Sequence, residues 1–282
     1  MKGIMIQGTA SSVGKSLIAT VCCRLFYEDG YHVAPFKAQN VTHHFYTNIQ
    51  GEKIAKSQAI QARAAKTEPS VLMNPTSLTL GNDQSEVILL GKTKGRFEKT
   101  DNPNAIYDKW INVIQSSLEQ LSRQYDLLVL EGAGSPVELN LKERDVSNMK
   151  TAALADVPVL LVADIHRGGA FASIVGTLEL LEPAERERVK GIIINKFQGD
   201  RARFHDGIKL MEERTALPVL GVLPFMDHDI EEEDDKVLLL NDSNATPSSL
   251  PADHQIDQIA QKMKQHLDWK QIKEIVDQWD KR

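Results

Sequence analysis

Cysteine is nearly missing from the sequence: there are two, Cys22 and Cys23, side by side. Neighbouring cysteines in a predicted helix cannot build a disulfide framework, so stability must come from a hydrophobic core, and a reducing, cytoplasmic setting is the expectation. Long hydrophobic runs are missing as well. None approaches the roughly 20 residues needed to cross a bilayer, and the first predicted strand begins within five residues of Met1, leaving no space for a secretory leader. A membrane partner is therefore not expected. Nor is there an excess of basic residues: 33 Lys and Arg stand against 39 Asp and Glu, for a net charge of −6. That balance argues against nucleic acid as a partner, because such binders carry a basic face. It leaves room for a single anionic ligand held by a few lysines and backbone N–H groups.

What is present is ordinary in amount and informative in order. Hydrophobic residues make up 41% and charged residues 26% of the 282 positions, enough for one large α/β domain with an appendage. Short apolar runs alternate with longer helical patterns. Strands are predicted over 3–8, 32–37, 85–92, 126–134, 157–165, 189–197 and 217–225, and helices over 15–30, 51–66 and 104–125, with another between the strands at 157–165 and 189–197. Strands such as "DLLVLE" and "GIIIN" are apolar at almost every position, as strands buried on both faces are. The fold class is α/β, a mostly parallel sheet with helices on both faces.

The character changes after Pro224. Residues 226–236 form an acidic run, read as a solvated loop, and 241–254 a polar, proline-containing linker. The predicted organisation is thus 1–225 as the main domain, 226–254 as linker and 255–282 as an amphipathic helical segment. Ile256, Ile259, Met263 and Leu267 lie on one stripe of that segment, and Asp268 is placed to cap a second short helix. Docking on the parent domain is expected of it, with a partner-binding helix as the alternative.

The stretch "MIQGTASSVGKSLIAT" (5–20) has the glycines, lysine and serine of a phosphate-binding loop, yet Gly8 and Gly14 enclose five residues instead of the usual four. A strand precedes it and a helix follows, so its backbone N–H groups sit at the positive end of a helix dipole. In such a loop Lys15 reaches the terminal phosphates and the Ser16 hydroxyl ligates Mg²⁺. Glu131 follows four apolar residues at the end of a strand. A carboxylate there is costly to bury unless paired or metal-bound, which suits a Mg²⁺ ligand or an acceptor for a metal-bound water, with a structural salt bridge as the plainer role. Arg167 in "HRGG" has the geometry to hold a carboxylate bidentately, and Gly168 and Gly169 free the backbone for close approach. His43 and His44 have no third ligand at metal spacing and are read as surface residues.

The form Gly-Thr-x-x-x-Val-Gly-Lys-Ser resembles the loop of dethiobiotin synthetase and the related amidoligases of cobalamin biosynthesis. "APFKAQN" (34–40), "LEGAGSPVELNLKERDVSN" (130–148), "VADIHRGGAFASIVGTLELL" (162–181), "KGIIINKFQGD" (190–200) and "PVLGVLPF" (218–225) resemble the cobyric acid synthase family in particular. The resemblance covers roughly residues 3 to 225 in order. It implies a P-loop NTPase fold of the dethiobiotin synthetase-like type, with ATP and Mg²⁺ as cofactors. The implied activity is amidation of corrinoid side-chain carboxylates through an acyl-phosphate that ammonia attacks.

On the resemblance, Thr9, Ser11, Ser12, Val13, Gly14, Lys15, Ser16 and Leu17 surround ATP. Asn195 reads the adenine edge and the segment around Pro224 closes the base pocket. From the residues alone, a helix cap suits Asn195 equally. Lys37, at the C-terminal end of the second strand, becomes a third positive charge for a reaction between two anions; the alternative is an exposed loop lysine. Lys15, Lys37 and Glu131 are the implied catalytic set, with Ser16 and Glu131 holding the metal. Gln39, Asn40, Ser135, Asn140, Arg144 and Asp145 lie in family-like segments, which points to substrate contact for them alongside Arg167, Gly168 and Gly169; a loop hydrogen-bonding role suits any of the six equally.

The sequence departs from that family in two respects. No cysteine follows Cys23, whereas the family continues into a glutaminase domain with a nucleophilic cysteine. Ammonia is then expected to be taken up directly, or delivered by a separate glutaminase subunit, or the chain is a truncation. A second acidic Mg²⁺ ligand of the dethiobiotin synthetase kind is not evident after Asn40. A homodimer is a further expected assembly. Other readings of the same fold are carboxylation as in dethiobiotin synthetase and a partitioning-type switch ATPase. The switch type carries an extra lysine where this sequence has Gln7 and Gly8, and its tail is commonly a basic amphipathic helix. A degenerate paralogue would not be expected to retain Lys15, Ser16, Lys37 and Glu131 together.

Overall fold

The computed structural model describes residues 1–79, 85–97, 103–226 and 250–281. The acidic run beyond Met226 and the linker as far as residue 249 lie outside the described residues. Strand β1 (Gly3–Gly8) leads into helix α1 (Lys15–Glu28), and β2 (Val33–Phe36) follows. Three short strands come next, β3 (Gln39–Val41), β4 (Phe45–Thr47) and β5 (Lys53–Ala55), then α2 (Lys56–Ala64) and β6 (Thr76–Thr79). β7 (Ser85–Leu89) and β8 (Lys92–Phe97) precede α3 (Pro103–Gln124). The chain then alternates through β9 (Leu127–Glu131), α4 (Met149–Ala155), β10 (Val159–Asp164), α5 (Ala170–Leu180), α6 (Pro183–Arg188), β11 (Val189–Phe197), α7 (His205–Thr215) and β12 (Val219–Pro224). The tail carries α8 (Asp253–Lys264) and α9 (Trp269–Trp279).

Six strands form the main sheet in the order β12-β11-β10-β1-β9-β2, and every neighbouring pair is parallel. The apolar runs of the sequence explain why. Side chains alternate across a strand, so Ile4 and Ile6 of β1 join one core with α1, α8 and α9, while Met5 joins a second with α3, α4 and α5. Leu127 and Val129 of β9 divide from Leu128 and Leu130 in the same way. Both faces are dry, and helices cover both.

The region between β2 and α3 departs from the sequence reading. The helix predicted over 51–66 begins only at Lys56; its first part is strand β5, paired antiparallel with β4. Turn chemistry overrides the helical pattern there. Asn48 Oδ1 accepts from the N–H groups of Gln50 (3.0 Å) and Glu52 (2.9 Å), closing a hairpin. The strand predicted over 85–92 is likewise two strands, β7 and β8, separated by Leu90 and Gly91 with positive φ. They complete a four-stranded side sheet, β3-β6-β7-β8, absent from the sequence reading.

The tail belongs to the main core. Ile256, Ala260, Met263, Trp269, Ile272 and Val276 are buried against α1 and the sheet, and Asp268 caps α9 by accepting from Gln271 N–H at 3.0 Å. The buried Arg24 of α1 reaches Asp253 (3.3 Å) and Asp257 (2.9 Å) on α8. The link between the two tail helices also runs along the exposed edge of the sheet. Asp268 N–H donates to Leu220 O at 2.7 Å, and Leu267 bridges Gly221. Covering an edge strand in this way removes an open row of hydrogen-bonding groups. Among the described residues, no helix is long and apolar enough to cross a membrane.

Candidate functional site

The strand order reverses at β1, with β10 on one side and β9 on the other. Open α/β sheets bind ligands outside the C-terminal ends of their strands at such a point. The glycine loop leaves β1 there. Gly14 ends it with φ of 100°, a left-handed conformation that strains any residue with a Cβ. No side chain caps α1 behind it, and no acidic residue sits in the first turn. The first N–H groups of a helix lack intrahelical partners, so this uncapped end suits an anion.

Each residue of the loop has a definite place. Thr9 N–H belongs to the sheet, donating to Val162 O at 2.9 Å, and the Ser173 hydroxyl of α5 donates to Thr9 Oγ1 at 3.3 Å. Ser11 is exposed, whereas Ser12, Val13, Gly14, Ser16 and Leu17 are buried. Lys15 is only 3% exposed and folds across the loop, donating from Nζ to Ala10 O at 3.0 Å. Two consecutive residues at the end of β11 brace the loop from beneath. Asn195 Nδ2 donates to Val13 O at 2.9 Å, and Lys196 Nζ to Ser12 O at 2.5 Å. Asn195, which the resemblance implies at the adenine edge, thus has its side-chain amide N–H₂ donating to the loop. Pro224 lies beside Phe197 at the end of β12, on the same edge of the sheet.

Next to the loop, four side chains from α1, α2, β9 and the residue after β2 converge. Glu131, at the end of β9, is 1% exposed. Its Oε1 accepts from Ser16 Oγ at 2.7 Å and from Lys37 Nζ at 2.9 Å, and its Oε2 accepts from Gln61 Nε2 at 2.5 Å. Lys37 follows β2 and is itself buried, so it is not the exposed loop lysine of the alternative reading. Asn74 Nδ2 holds the Lys37 carbonyl at 3.1 Å. Ser16, Lys37 and Glu131 were singled out in the sequence separately, and the structure joins them. Gln61 was not. Its only sequence signal was a pair of glutamines, Gln58 and Gln61, one turn apart on a helix whose other buried positions are serine, alanine and isoleucine.

The donor set at this point fits Mg²⁺. Ser16 Oγ and Glu131 Oε1 are hard oxygens, and Mg²⁺ is typically held by one or two protein oxygens, with phosphate oxygens and waters completing the shell. No cluster of three His, Cys, Asp or Glu that would make a dedicated protein cage occurs among the described residues.

The remaining candidates spread along the same edge. Gln39 and Asn40 begin β3. Gln39 Nε2 and Asn40 Oδ1 are buried with no hydrogen-bond partner among the described residues. Gly132 leaves β9 where a Cβ would collide with Asn148 Oδ1. Asn148, which the sequence reading did not single out, grips that turn by donating to Ala133 O (2.8 Å) and accepting from Ala133 N–H (3.1 Å). Ser135 is buried nearby. Asp145 Oδ1 accepts from Ser147 N–H at 2.7 Å and from Asn148 N–H at 3.2 Å; burial raises its carboxyl above the ordinary value, outweighing these bonds. Asn140 and Arg144 are exposed, between β9 and α4. Arg167, Gly168 and Gly169 form the exposed turn between β10 and α5, with both glycines at positive φ and no side-chain cap on the helix.

Cys22 and Cys23 lie inside α1, fully buried. Burial pushes the Cys22 thiol up to about 12, and Cys23 rises well above its usual value for the same reason. A nucleophilic cysteine needs the thiolate, so neither can attack. Folded protein at pH 8 should therefore take up no iodoacetamide, and denatured protein two equivalents, by intact mass. Labelling of the folded form would contradict this placement.

Known proteins add the following. A family model described as "CobQ/CobB/MinD/ParA nucleotide binding domain" matches residues 4–239. Proteins named cobyric acid synthase are similar in sequence. The one from Desulforamulus reducens is 50% identical over 250 residues, 88% of this chain and 49% of that protein. The one from Pelotomaculum thermopropionicum is 51% identical over 226 residues, 80% of this chain and 43% of that protein. The one from Nostoc punctiforme is 46% identical over 247 residues, 87% and 50% respectively. The chain thus spans about half the length of the curated relatives it matches.

Proposed function

The chain belongs to the CobQ/CobB/MinD/ParA nucleotide-binding family, and on that premise we propose that it uses ATP to activate a corrinoid side-chain carboxylate, which ammonia then converts to an amide. The observation that carries this reading is the convergence of Ser16 and Lys37 on Glu131 beside the loop. Transfer of a phosphoryl group to a carboxylate brings two anions together, so the site must supply positive charge and hold it in place. Mg²⁺ and ATP, when bound, provide the γ-phosphoryl group and part of its charge neutralisation.

The chain's own residues do the rest. Lys15 leaves Ala10 O for the terminal phosphates, and the uncapped start of α1 offers N–H groups to the same charge. Ser16 and Glu131 hold the metal. Lys37 stands at the Glu131 carboxylate as a buried cation facing the reacting groups. The substrate carboxylate oxygen bonds to the γ-phosphorus as the bond to ADP breaks. Ammonia then bonds to the acyl carbon, loses a proton, and phosphate departs with the former carboxylate oxygen. Gln39, Asn40, Ser135, Asn140, Asp145, Arg167, Gly168 and Gly169 line the edge assigned to the corrinoid, while the loop from Thr9 to Leu17, with Asn195 and Pro224, is assigned to ATP.

We assign this synthetase chemistry to residues 1–225, with 226–254 as linker and 255–282 as a helical tail, acting in the cytoplasm with free ammonia or a separate glutaminase as nitrogen source. With ATP, Mg²⁺ and ammonium present, ADP release should rise at least about tenfold, or 1.4 kcal/mol, when adenosylcobyrinic acid a,c-diamide is added. An unchanged rate would remove the corrinoid assignment.

A further inference from the structure

The Glu131 carboxylate has a third partner that neither the loop pattern nor the family description accounts for, and a line of amides stands behind it. Gln61 Nε2 donates to Glu131 Oε2 at 2.5 Å. Gln58 Nε2 donates to Gln61 Oε1 at 3.4 Å. Gln58 Oε1 in turn accepts from Ser57 Oγ at 2.8 Å and from Asn40 Nδ2. All five residues are buried. A carboxylate only accepts hydrogen bonds, whereas a primary amide both donates and accepts. Glu131 therefore fixes which way Gln61 faces, Gln61 fixes Gln58, and Gln58 fixes Asn40. The direction runs outward from the carboxylate to β3, and it leaves Asn40 Oδ1, 1% exposed, as the open acceptor at the far end.

We propose that Gln61 is a positioning residue for the metal-binding face of Glu131, and that the amide line through Gln58 ties that position to the orientation of Asn40. Gln61 holds Oε2, so Oε1 stays turned toward Ser16 and Lys37. Low dielectric makes a fully satisfied buried line rigid and a reversed one costly. The inference rests on the reading of the loop as a Mg²⁺–nucleotide site but not on the identity of the carboxylate substrate.

The test uses the full chain, a non-hydrolysable ATP analogue and a Mg²⁺ titration, with no corrinoid present. Its readout is the Mg²⁺ concentration giving half-maximal tight binding. Gln61→Leu should raise that concentration about tenfold or more, the usual effect of losing a partner that orients a metal ligand, while affinity measured in EDTA stays within about threefold. Gln61→Met, of similar length, should behave alike and covers the case in which the leucine variant does not fold.

The direction of the line is tested at Asn40, which does not touch Glu131. Asn40→Asp puts an acceptor against Gln58 Oε1, turns Gln58 around and sets oxygen against oxygen at Gln61. It should raise the Mg²⁺ requirement about tenfold as well. Asn40→Ala leaves Ser57 donating to Gln58 and should raise it less than about threefold. Equal effects of Asp and Ala at position 40, or a Mg²⁺ requirement that neither Gln61 variant alters, would overturn the proposal. Nucleotide binding by the unmodified chain that ignores Mg²⁺ would overturn the loop reading instead.

Discussion

Lys15→Ala is expected to lower ADP release about 10²- to 10³-fold, the loss typical of removing one preorganised charge or donor from a transition state. ATP affinity should fall with it. The structure shows why the fold should survive. Lys15 is buried, yet its Nζ reaches a carbonyl of its own loop, Ala10 O, and it stands at the start of a helix whose apolar residues begin at Leu17 and Ile18. Alanine is a good helix former and leaves that packing intact. The thermal midpoint should therefore stay close to that of the unmodified chain. Calorimetric titration with ATP and a coupled ADP assay measure both effects. Unchanged affinity and turnover would mean that the loop does not hold the triphosphate.

Glu131→Gln separates chemistry from binding and carries a structural cost that Lys15→Ala lacks. Nucleotide affinity should stay within about tenfold, or 1.4 kcal/mol, because the loop and α1 are untouched. ADP release should fall about 10²-fold or more as the metal loses its charged ligand. The new amide also breaks the buried ion pair between Lys37 and Glu131. Breaking a buried ion pair from one side costs about 3–5 kcal/mol, which for a chain of this size lowers the thermal midpoint by roughly 6–20 °C. Glu131→Gln, Lys37→Met should recover part of that loss, since both buried charges are then gone, while activity stays low. Normal ATP hydrolysis by the single variant would exclude Glu131 from the metal site, and an unchanged midpoint would exclude the buried pair.

The two variants draw on parts of the site that differ in how far the sequence foretold them. The glycine loop and Glu131 were legible because their signals are local: a lysine and serine between a strand and a helix, and a carboxylate ending four apolar residues. The six parallel strands were legible for the same reason, since burial on both faces removes polar residues from each. The side sheet was not. Its strands β3 "QNV" and β6 "TSLT" are short and polar, and the β4–β5 hairpin depends on one Asn48 side chain closing a turn. Gln61 was hidden for another reason. Its partner lies 70 residues away, and a glutamine on an alanine-rich helix reads locally as a solvated position. Asn195 shows the converse: it was singled out, but its grip on Val13 O depends on strand order.

On the proposed function, carboxylates become amides at the expense of ATP. The most direct measurement is the mass of adenosylcobyrinic acid a,c-diamide after incubation with the chain, ATP, Mg²⁺ and isotopically labelled ammonium. Each conversion of a carboxyl to a carboxamide shifts the mass by a fixed step and incorporates one labelled nitrogen, so the spectrum also counts the groups converted. Labelled product is expected, and this amidation should require ATP and disappear in Lys15→Ala. ATP consumed with the corrinoid mass unchanged would contradict it.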